Sequence, residues 1–288
     1  YLSGDANSKD KFIKDLGKGF SKIGFVAVKG HLLNDEVKDS LYKEVKQFFN
    51  LPDSVKSKYI IKGLASQRGF TPLGKEHAKG KNVGDLKEFW HFGQYVKNEP
   101  ELVNKYPENV IVKELKNFNK IGQKTYELLE DTGRHILRAI ACYLNMEETY
   151  FDKHIFNGNS ILRAIHYPPI AQEPKKAERA AAHGDINLIT LLMGAQGRGL
   201  QVLNNKGEWV DAIAEDDEII VNIGDMLQEV SGGFYPSTTH RVINPTFAAN
   251  KPRMSLPLFL HPRPDVRLSE RYTAASYLEE RLRELGVK

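Results

Sequence analysis

The chain has 288 residues, 41% of them hydrophobic and 27% charged, with a formal net charge of +4. That balance supports a buried core and excludes a disordered chain. The lysines are scattered instead of gathered into a basic stripe, which argues against a polynucleotide partner, and no apolar run approaches a membrane span.

The elements follow in order. Phe12, Ile13, Leu16 and Phe20 recur at helical spacing and predict a first helix from Ser8 to Phe20; Gly24 to Val28 then reads as a short buried strand. Asn34 is the expected N-cap of a second helix with an apolar stripe of Val37, Leu41, Val45 and Phe48, ending before Leu51-Pro52. From Val110 to Asn145 one long helical pattern runs on, with Gly122 and Gly133 as points where it can bend. Cys142 lies in it as a small buried side chain. It is the single cysteine, so no internal disulfide can form, and a reducing, cytoplasmic compartment is expected. The N-terminus shows no signal-peptide core, and the start at Tyr1 without a Met leaves open whether the first residues are native.

After Phe156 the texture changes to short β-like runs separated by turn residues. The expected strands are Ser160–Tyr167, Leu188–Met193, Leu200–Leu203, Glu208–Ala212, Glu218–Ile223, Met226–Val230, Thr238–Val242 and Met254–Leu260. Strands this short and evenly spaced predict a barrel or jelly roll, not a parallel α/β sheet. Leu203 to Trp209 reads as a hairpin with Gly207 at the positive-φ position. A last helix, Thr273 to Leu285, is expected on the outside.

The chemistry concentrates in His183-Gly184-Asp185 and His240. Alternation along a strand predicts His183 and Asp185 on one face, with His240 arriving from another strand. Two neutral imidazoles and one carboxylate hold a ferrous ion on one face and leave cis positions for a bidentate organic acid and dioxygen. Arg253 and Ser255 share a face of a later strand, where a guanidinium fork and a hydroxyl would clamp a distant carboxylate.

The motifs His183-Gly184-Asp185-Ile186-Asn187-Leu188-Ile189-Thr190-Leu191-Leu192, Gly199-Leu200-Gln201-Val202, Gly207-Glu208-Trp209-Val210, Val221-Asn222-Ile223-Gly224-Asp225-Met226, Thr239-His240-Arg241-Val242 and Arg253-Met254-Ser255 resemble the 2-oxoglutarate- and iron(II)-dependent dioxygenases of the isopenicillin N synthase type. Gly24-Phe25 and Arg68-Gly69-Phe70 extend the likeness over nearly the whole chain. The resemblance implies a mainly β protein with flanking helices around a double-stranded β-helix. Residues 1–288 would form one oxygenase domain, with 1–157 a mainly helical wrap, 158–262 the β-helix core and 263–288 the C-terminal helix. It implies Fe(II) on His183, Asp185 and His240, and 2-oxoglutarate against Arg253, Ser255 and Tyr167, with dioxygen as oxidant. The implied reaction couples decarboxylation of 2-oxoglutarate to hydroxylation, desaturation or cyclisation of a small organic substrate. An iron oxidase that dispenses with 2-oxoglutarate, or an inactive module that binds a small acid, are the rival readings. Near the substrate, Arg163 is expected either to pair with a substrate carboxylate or to brace a neighbouring acid, Phe70 to form an apolar wall, and Arg68 to approach the pocket or to form a surface bridge. The sequence leaves the oligomeric state and the substrate's identity open.

Other features read as structural. His31, His77, His135 and His154 have no partner at ligand spacing; His261 is expected at the end of the barrel and His166 near the pocket wall. Gly194 to Gly199 reads as a loop, not a dinucleotide fingerprint, and Glu215 to Glu218 as a solvated turn, not a calcium loop.

Overall fold

The computed structural model describes residues 1–64, 66–76, 84–103, 106–170, 177–193, 199–246 and 250–284. His77, Leu285 and most of the Gly194–Gly199 loop lie outside the described residues. Helix α1 (Ala6–Ile23) starts earlier than its apolar stripe because the Asp5 side chain accepts from Ser8 N, and it ends at Gly24 in the left-handed region. Strand β1 (Phe25–Lys29) follows, then α2 (Asp35–Phe49), where the Asn34 side chain accepts from Val37 N as expected of an N-cap. Short α3 (Asp53–Lys56) leads to β2 (Gly69–Thr71) and β3 (Glu88–Gly93), and α4 (Pro100–Val103) precedes the long α5 (Phe118–Tyr143) and short α6 (Asp152–Ile155).

The second half supplies β4 (Ile161–Tyr167), β5 (Ala180–His183), β6 (Ile189–Met193), β7 (Leu200–Leu203), β8 (Trp209–Asp211) and β9 (Glu218–Ile223), then α7 (Asp225–Val230), β10 (His240–Val242), β11 (Arg253–Leu260) and α8 (Ala274–Glu284). Two antiparallel sheets result, one in the order β1-β9-β6-β11-β4-β3-β2, the other β5-β10-β7-β8. With flanking helices this is the mainly β architecture expected. Three of the seven strands in the larger sheet, β1, β2 and β3, come from the first 157 residues, so that segment is woven into the sheet as well as wrapped around it.

Register explains the core. Leu191, Val221, Leu258 and Leu162 stand opposite one another along the larger sheet and point outward, under α1, α2 and α5, in the main apolar cluster. Alternate residues point inward, toward the small sheet: Ile165, Leu192 and Ile220 meet Ala180, Leu200 and Val242 there. Gly122 and Gly133 do not interrupt α5, which runs unbroken across both. A Cβ at Gly122 would overlap the Phe92 ring and one at Gly133 would lie 2.7 Å from Leu260, so these glycines let the helix lie close on the sheet.

Two local expectations give way. Met226–Val230 is helical, because Gly224, Asp225 and Met226 turn their backbone N–H groups onto the carbonyls of Leu188, Asp185 and Ile186; a short apolar run fits either period. Strand β5 also ends at His183, so Asp185 lies in the connection beyond it and does not share a strand face with His183. The Gly207 turn is as expected, with φ +78°.

Candidate metal centre and cavity

His240 stands directly opposite His183 in the β10–β5 ladder, and the two ring centroids are 4.5 Å apart. Asp185 reaches them from the loop after β5: its Oδ1 lies 3.9 Å from His183 Nε2 and 3.7 Å from His240 Nε2. One donor atom from each residue falls within 4.8 Å of the others, an arrangement that could hold a metal ion.

Hydrogen bonds behind the three residues decide which atoms face inward. His183 Nδ1 lies 2.7 Å from Ala181 O and His240 Nδ1 3.2 Å from Thr238 O. A carbonyl only accepts, so each Nδ1 carries the proton and each Nε2 keeps its lone pair. Asp185 Oδ2 accepts from Thr190 Oγ1 (2.6 Å) and Asn222 Nδ2 (2.8 Å), which leaves Oδ1 free toward the imidazoles. Thr190 and Asn222 are register partners on β6 and β9, so their joint position is a product of sheet pairing. Burial, and then His240 beside it, hold His183 down to about 4, so the ring is neutral and able to ligate near neutral pH. Burial alone would raise Asp185, but His240, His183 and the two donated hydrogen bonds bring it below its ordinary value.

Arg253 faces Tyr167 across the β11–β4 ladder and Ser255 faces Ile165, so all three side chains point between the sheets. Arg253 is 2% exposed, its guanidinium carbon is 5.1 Å from the centre of the Tyr167 ring, and its Nε and Nη1 are buried without partners among the described residues. A buried cation with unmet donors fits a carboxylate guest.

A cavity of about 700 Å³ opens beside the triad, lined by His183 and Asp185; His240, Arg253, Ser255 and Tyr167 are not among its lining residues. Arg163 lines it and does brace an acid: its Nη1 pairs with Glu76 (3.0 Å), its Nε donates to His91 Nε2 (2.6 Å), and its guanidinium lies 4.2 Å from the Phe89 ring centre. Lys87 completes the polar wall, 2.8 Å from both Glu76 and Asp85. Burial opposes charge on Glu76, but Arg163 and Lys87 hold its carboxyl far below the usual range, and burial keeps His91 neutral.

Other expected positions differ. Phe70 is buried against Phe48 in the outer core and does not line the cavity. Arg68 is neither a surface bridge nor a wall residue; it is buried and donates to Pro107 O, Gln67 O and Gln94 Oε1. His166 points to the outer side, bonded to Glu88 and stacked on Phe49, because it is one residue out of phase with the inward-facing Ile165 and Tyr167. His261 does line the cavity, and so do Leu278 and Leu282 of α8, which is therefore a wall of the site as well as an outer helix. Sequence reasoning misses His91, Glu76 and Lys87. It also misses Thr190 and Asn222, although Thr190 is the lone polar residue of β6 and Asn222 interrupts the apolar run Ile219–Ile223 of β9, the one local signal that could flag them.

Comparison with known proteins gives the family. Residues 2–114 match the model described as non-haem dioxygenase in morphine synthesis N-terminal, and residues 158–262 match the 2OG-Fe(II) oxygenase superfamily. A homoarginine-6-hydroxylase of Arabidopsis thaliana is 31% identical over 245 residues, spanning 81% of this chain and 72% of the relative. The 2-oxoglutarate-Fe(II) type oxidoreductase hxnY of Emericella nidulans is 28% identical over 274 residues, spanning 91% and 77%. A 2OG-Fe(II) oxygenase family protein from Caulobacter crescentus superposes with a TM-score of 0.88 at 37% identity, covering 97% of this chain and 96% of that one. A full-length Neurospora crassa protein solved in complex with alpha-KG superposes with a TM-score of 0.83 at 27% identity, covering 98% and 93%. With an inward-facing His-Asp-His set and a relative 31% identical over 81% of the chain, the chain belongs to the 2OG-Fe(II) oxygenase superfamily and is a non-haem oxygenase dependent on Fe(II), 2-oxoglutarate and dioxygen.

Proposed function

We propose that His183 Nε2, His240 Nε2 and Asp185 Oδ1 hold the iron, that Arg253, Ser255 and Tyr167 receive 2-oxoglutarate, and that a small organic molecule in the cavity is hydroxylated. The observation that carries this reading is the set of three donors within 4.8 Å, each tied back through its other polar atom. When bound, ferrous iron supplies redox chemistry that couples oxidation of 2-oxoglutarate to succinate and carbon dioxide with oxidation of the substrate. The chain's own residues do the positioning. Ala181 O and Thr238 O fix the imidazole tautomers, while Thr190 and Asn222 keep Asp185 one-sided. Phe259, Ile186, Leu278 and Leu282 give the cavity an apolar wall that excludes water, and Arg163, held by Glu76 and His91, offers a polar anchor for the substrate. The Neurospora crassa protein has also been solved with thymine and with 5-formyluracil, which supports a substrate of that size carrying polar groups. Desaturation or ring closure at the same position are the other outcomes of hydrogen removal.

The chain works as one domain in this reading, with 158–262 as its catalytic core, 1–157 supplying helices and three strands, and 263–288 closing the cavity through α8. A cytoplasmic setting rests on the lone Cys142, and a small-molecule partner in place of nucleic acid on the scattered charge. His240→Ala is expected to abolish iron-dependent formation of succinate from 2-oxoglutarate while leaving the far-UV circular dichroism and unfolding midpoint nearly unchanged. Undiminished turnover in that variant would overturn the ligand assignment.

A further inference from the structure

We propose that Arg179 is a second cation of the 2-oxoglutarate pocket and that, paired with Arg253, it selects a 2-oxo acid bearing a second carboxylate. The proposal rests on the reading of Arg253 given above.

Arg179 immediately precedes β5 and is 3% exposed. Its backbone N–H donates to Asn244 Oδ1 (2.9 Å), whose Nδ2 donates in turn to Ala177 O (2.8 Å), so the main chain is fixed from both sides. Its Nη2 donates to Lys251 O (2.6 Å) in the segment leading into β11. Nε is buried without a partner among the described residues, as are Nε and Nη1 of Arg253. Both guanidiniums lie against one aromatic ring, their central carbons 5.8 and 5.1 Å from the centre of Tyr167.

Charge makes the pair unusual. The basic groups of the cavity wall have their own acids, Glu76 and Asp85 for Lys87 and Glu76 for Arg163, and the buried Arg68 is met at Nε, Nη1 and Nη2 by neutral oxygens. No ion pair with a carboxylate is made by Arg179 or Arg253 among the described residues, so within these residues two like charges are buried side by side without an acid. Burial, and then Arg253, make Arg179 a weaker base than an ordinary arginine, with Tyr167 opposing. Such a pair is costly in a low-dielectric interior until an anion enters, and a carboxylate offers two oxygens to two planar forks. A 2-oxo acid ending in a methyl group would leave both guanidiniums unpaired, and discrimination is steep when a guest leaves buried polar groups unmet.

Arg179 also touches Lys251 O, so a purely structural role as a brace for the segment before β11 is the competing explanation. The two roles separate by ligand. Binding of 2-oxoglutarate and of 2-oxopentanoate, which keeps the 2-oxo acid head but lacks the second carboxylate, is measured calorimetrically on the anaerobic Mn(II)-loaded full chain for wild type, Arg179→Gln, Arg179→Lys and Arg253→Gln. The expected result is at least a tenfold weaker affinity for 2-oxoglutarate in Arg179→Gln, no more than a twofold change for 2-oxopentanoate, unchanged Mn(II) affinity, and partial recovery in Arg179→Lys. An equal loss for both acids makes Arg179 a brace and overturns the proposal. Affinity for 2-oxoglutarate that falls in Arg253→Gln but not in Arg179→Gln overturns it while sparing the reading of Arg253; if neither variant changes it, that reading fails as well. Should Arg179→Gln fail to fold, the ratio of the two affinities in Arg179→Lys decides: a ratio at least threefold below that of wild type supports the proposal, and an unchanged ratio overturns it.

Discussion

Asp185 divides its work between two oxygens. Oδ2 takes the hydrogen bonds of Thr190 and Asn222, and Oδ1 is turned toward the two imidazoles. Asn222→Leu removes one of those donors and leaves the carboxylate free to rotate, so affinity for Mn(II) or Co(II) is expected to fall by about 10- to 100-fold, the usual cost of losing a partner behind a metal ligand. Titration calorimetry reads this directly, and an unchanged affinity would show that Thr190 suffices alone. His261 makes a separate prediction about acid. Burial lowers it from 6.5 to about 4 in the folded chain, so between those values the unfolded chain binds the extra proton. Stability contributed by neutral His261 is thus present above pH 6.5 and falls as the pH drops toward 4, by about 3 kcal/mol at pH 4. In urea titrations of the metal-free protein, His261→Gln should lose less stability over this window than wild type does; parallel curves would contradict the assignment. The His183/Asp185 and Arg253/Ser255 pairs are legible in the sequence because their spacing is local, and distant His240 because it sits in a distinctive motif, Thr239-His240-Arg241-Val242. His91, Lys87 and Arg179 are not, since what marks them is burial beside particular neighbours, and nothing in a sequence states burial.

At the level of elements, periodicity reads well wherever one face is wet. Helices α1, α2 and α5 follow from their stripes, with ends shifted by caps such as Asp5 that lie outside the stripe. The run Met226–Val230 reads wrongly as a strand because five apolar-rich residues carry too few periods to separate strand from helix; what makes α7 helical is its docking on the 185–188 segment. The glycines of α5 are likewise ambiguous in sequence, and the sheet beneath them decides their role. Gly133→Val places side-chain atoms against Leu260 and Leu191, so a loss of about 1–3 kcal/mol is expected from overpacking. Guanidinium unfolding checks it, and an unaltered midpoint would mean that α5 can lift off the sheet at little cost. Helix α8 lies outside as its sequence predicts, yet Leu278 and Leu282 also turn to the cavity.

For the whole molecule, the decisive act is the closing of two sheets over an interior that holds both an apolar cluster and isolated charge. Leu192, Ile220 and Val242 bring the sheets together, and the unpaired nitrogens of Arg253 are enclosed by the same closure. Guests that satisfy the charge should therefore stabilise the fold. Mn(II) and 2-oxoglutarate, each supplied at about 100 times its dissociation constant, should together raise the unfolding free energy by about 5 kcal/mol by mass action, roughly half from each. Thermal unfolding under anaerobic conditions measures the gain, and a midpoint indifferent to 2-oxoglutarate would contradict a site between the sheets. The sequence by itself determined the family, the β-rich second half, the helical stripes and the identity of the His183, Asp185 and His240 set, because each depends on side-chain type and on short motifs read one at a time. Tertiary structure alone decided that three early strands join the larger sheet, that Thr190 and Asn222 meet at Asp185, that Phe70 and Arg68 stay out of the cavity, and that Arg179 lies beside Arg253. Those facts depend on which distant strands pair and in what register, and a shift of one residue would turn strand residues such as Thr190, Asn222, Phe70 and Arg253 to the opposite face.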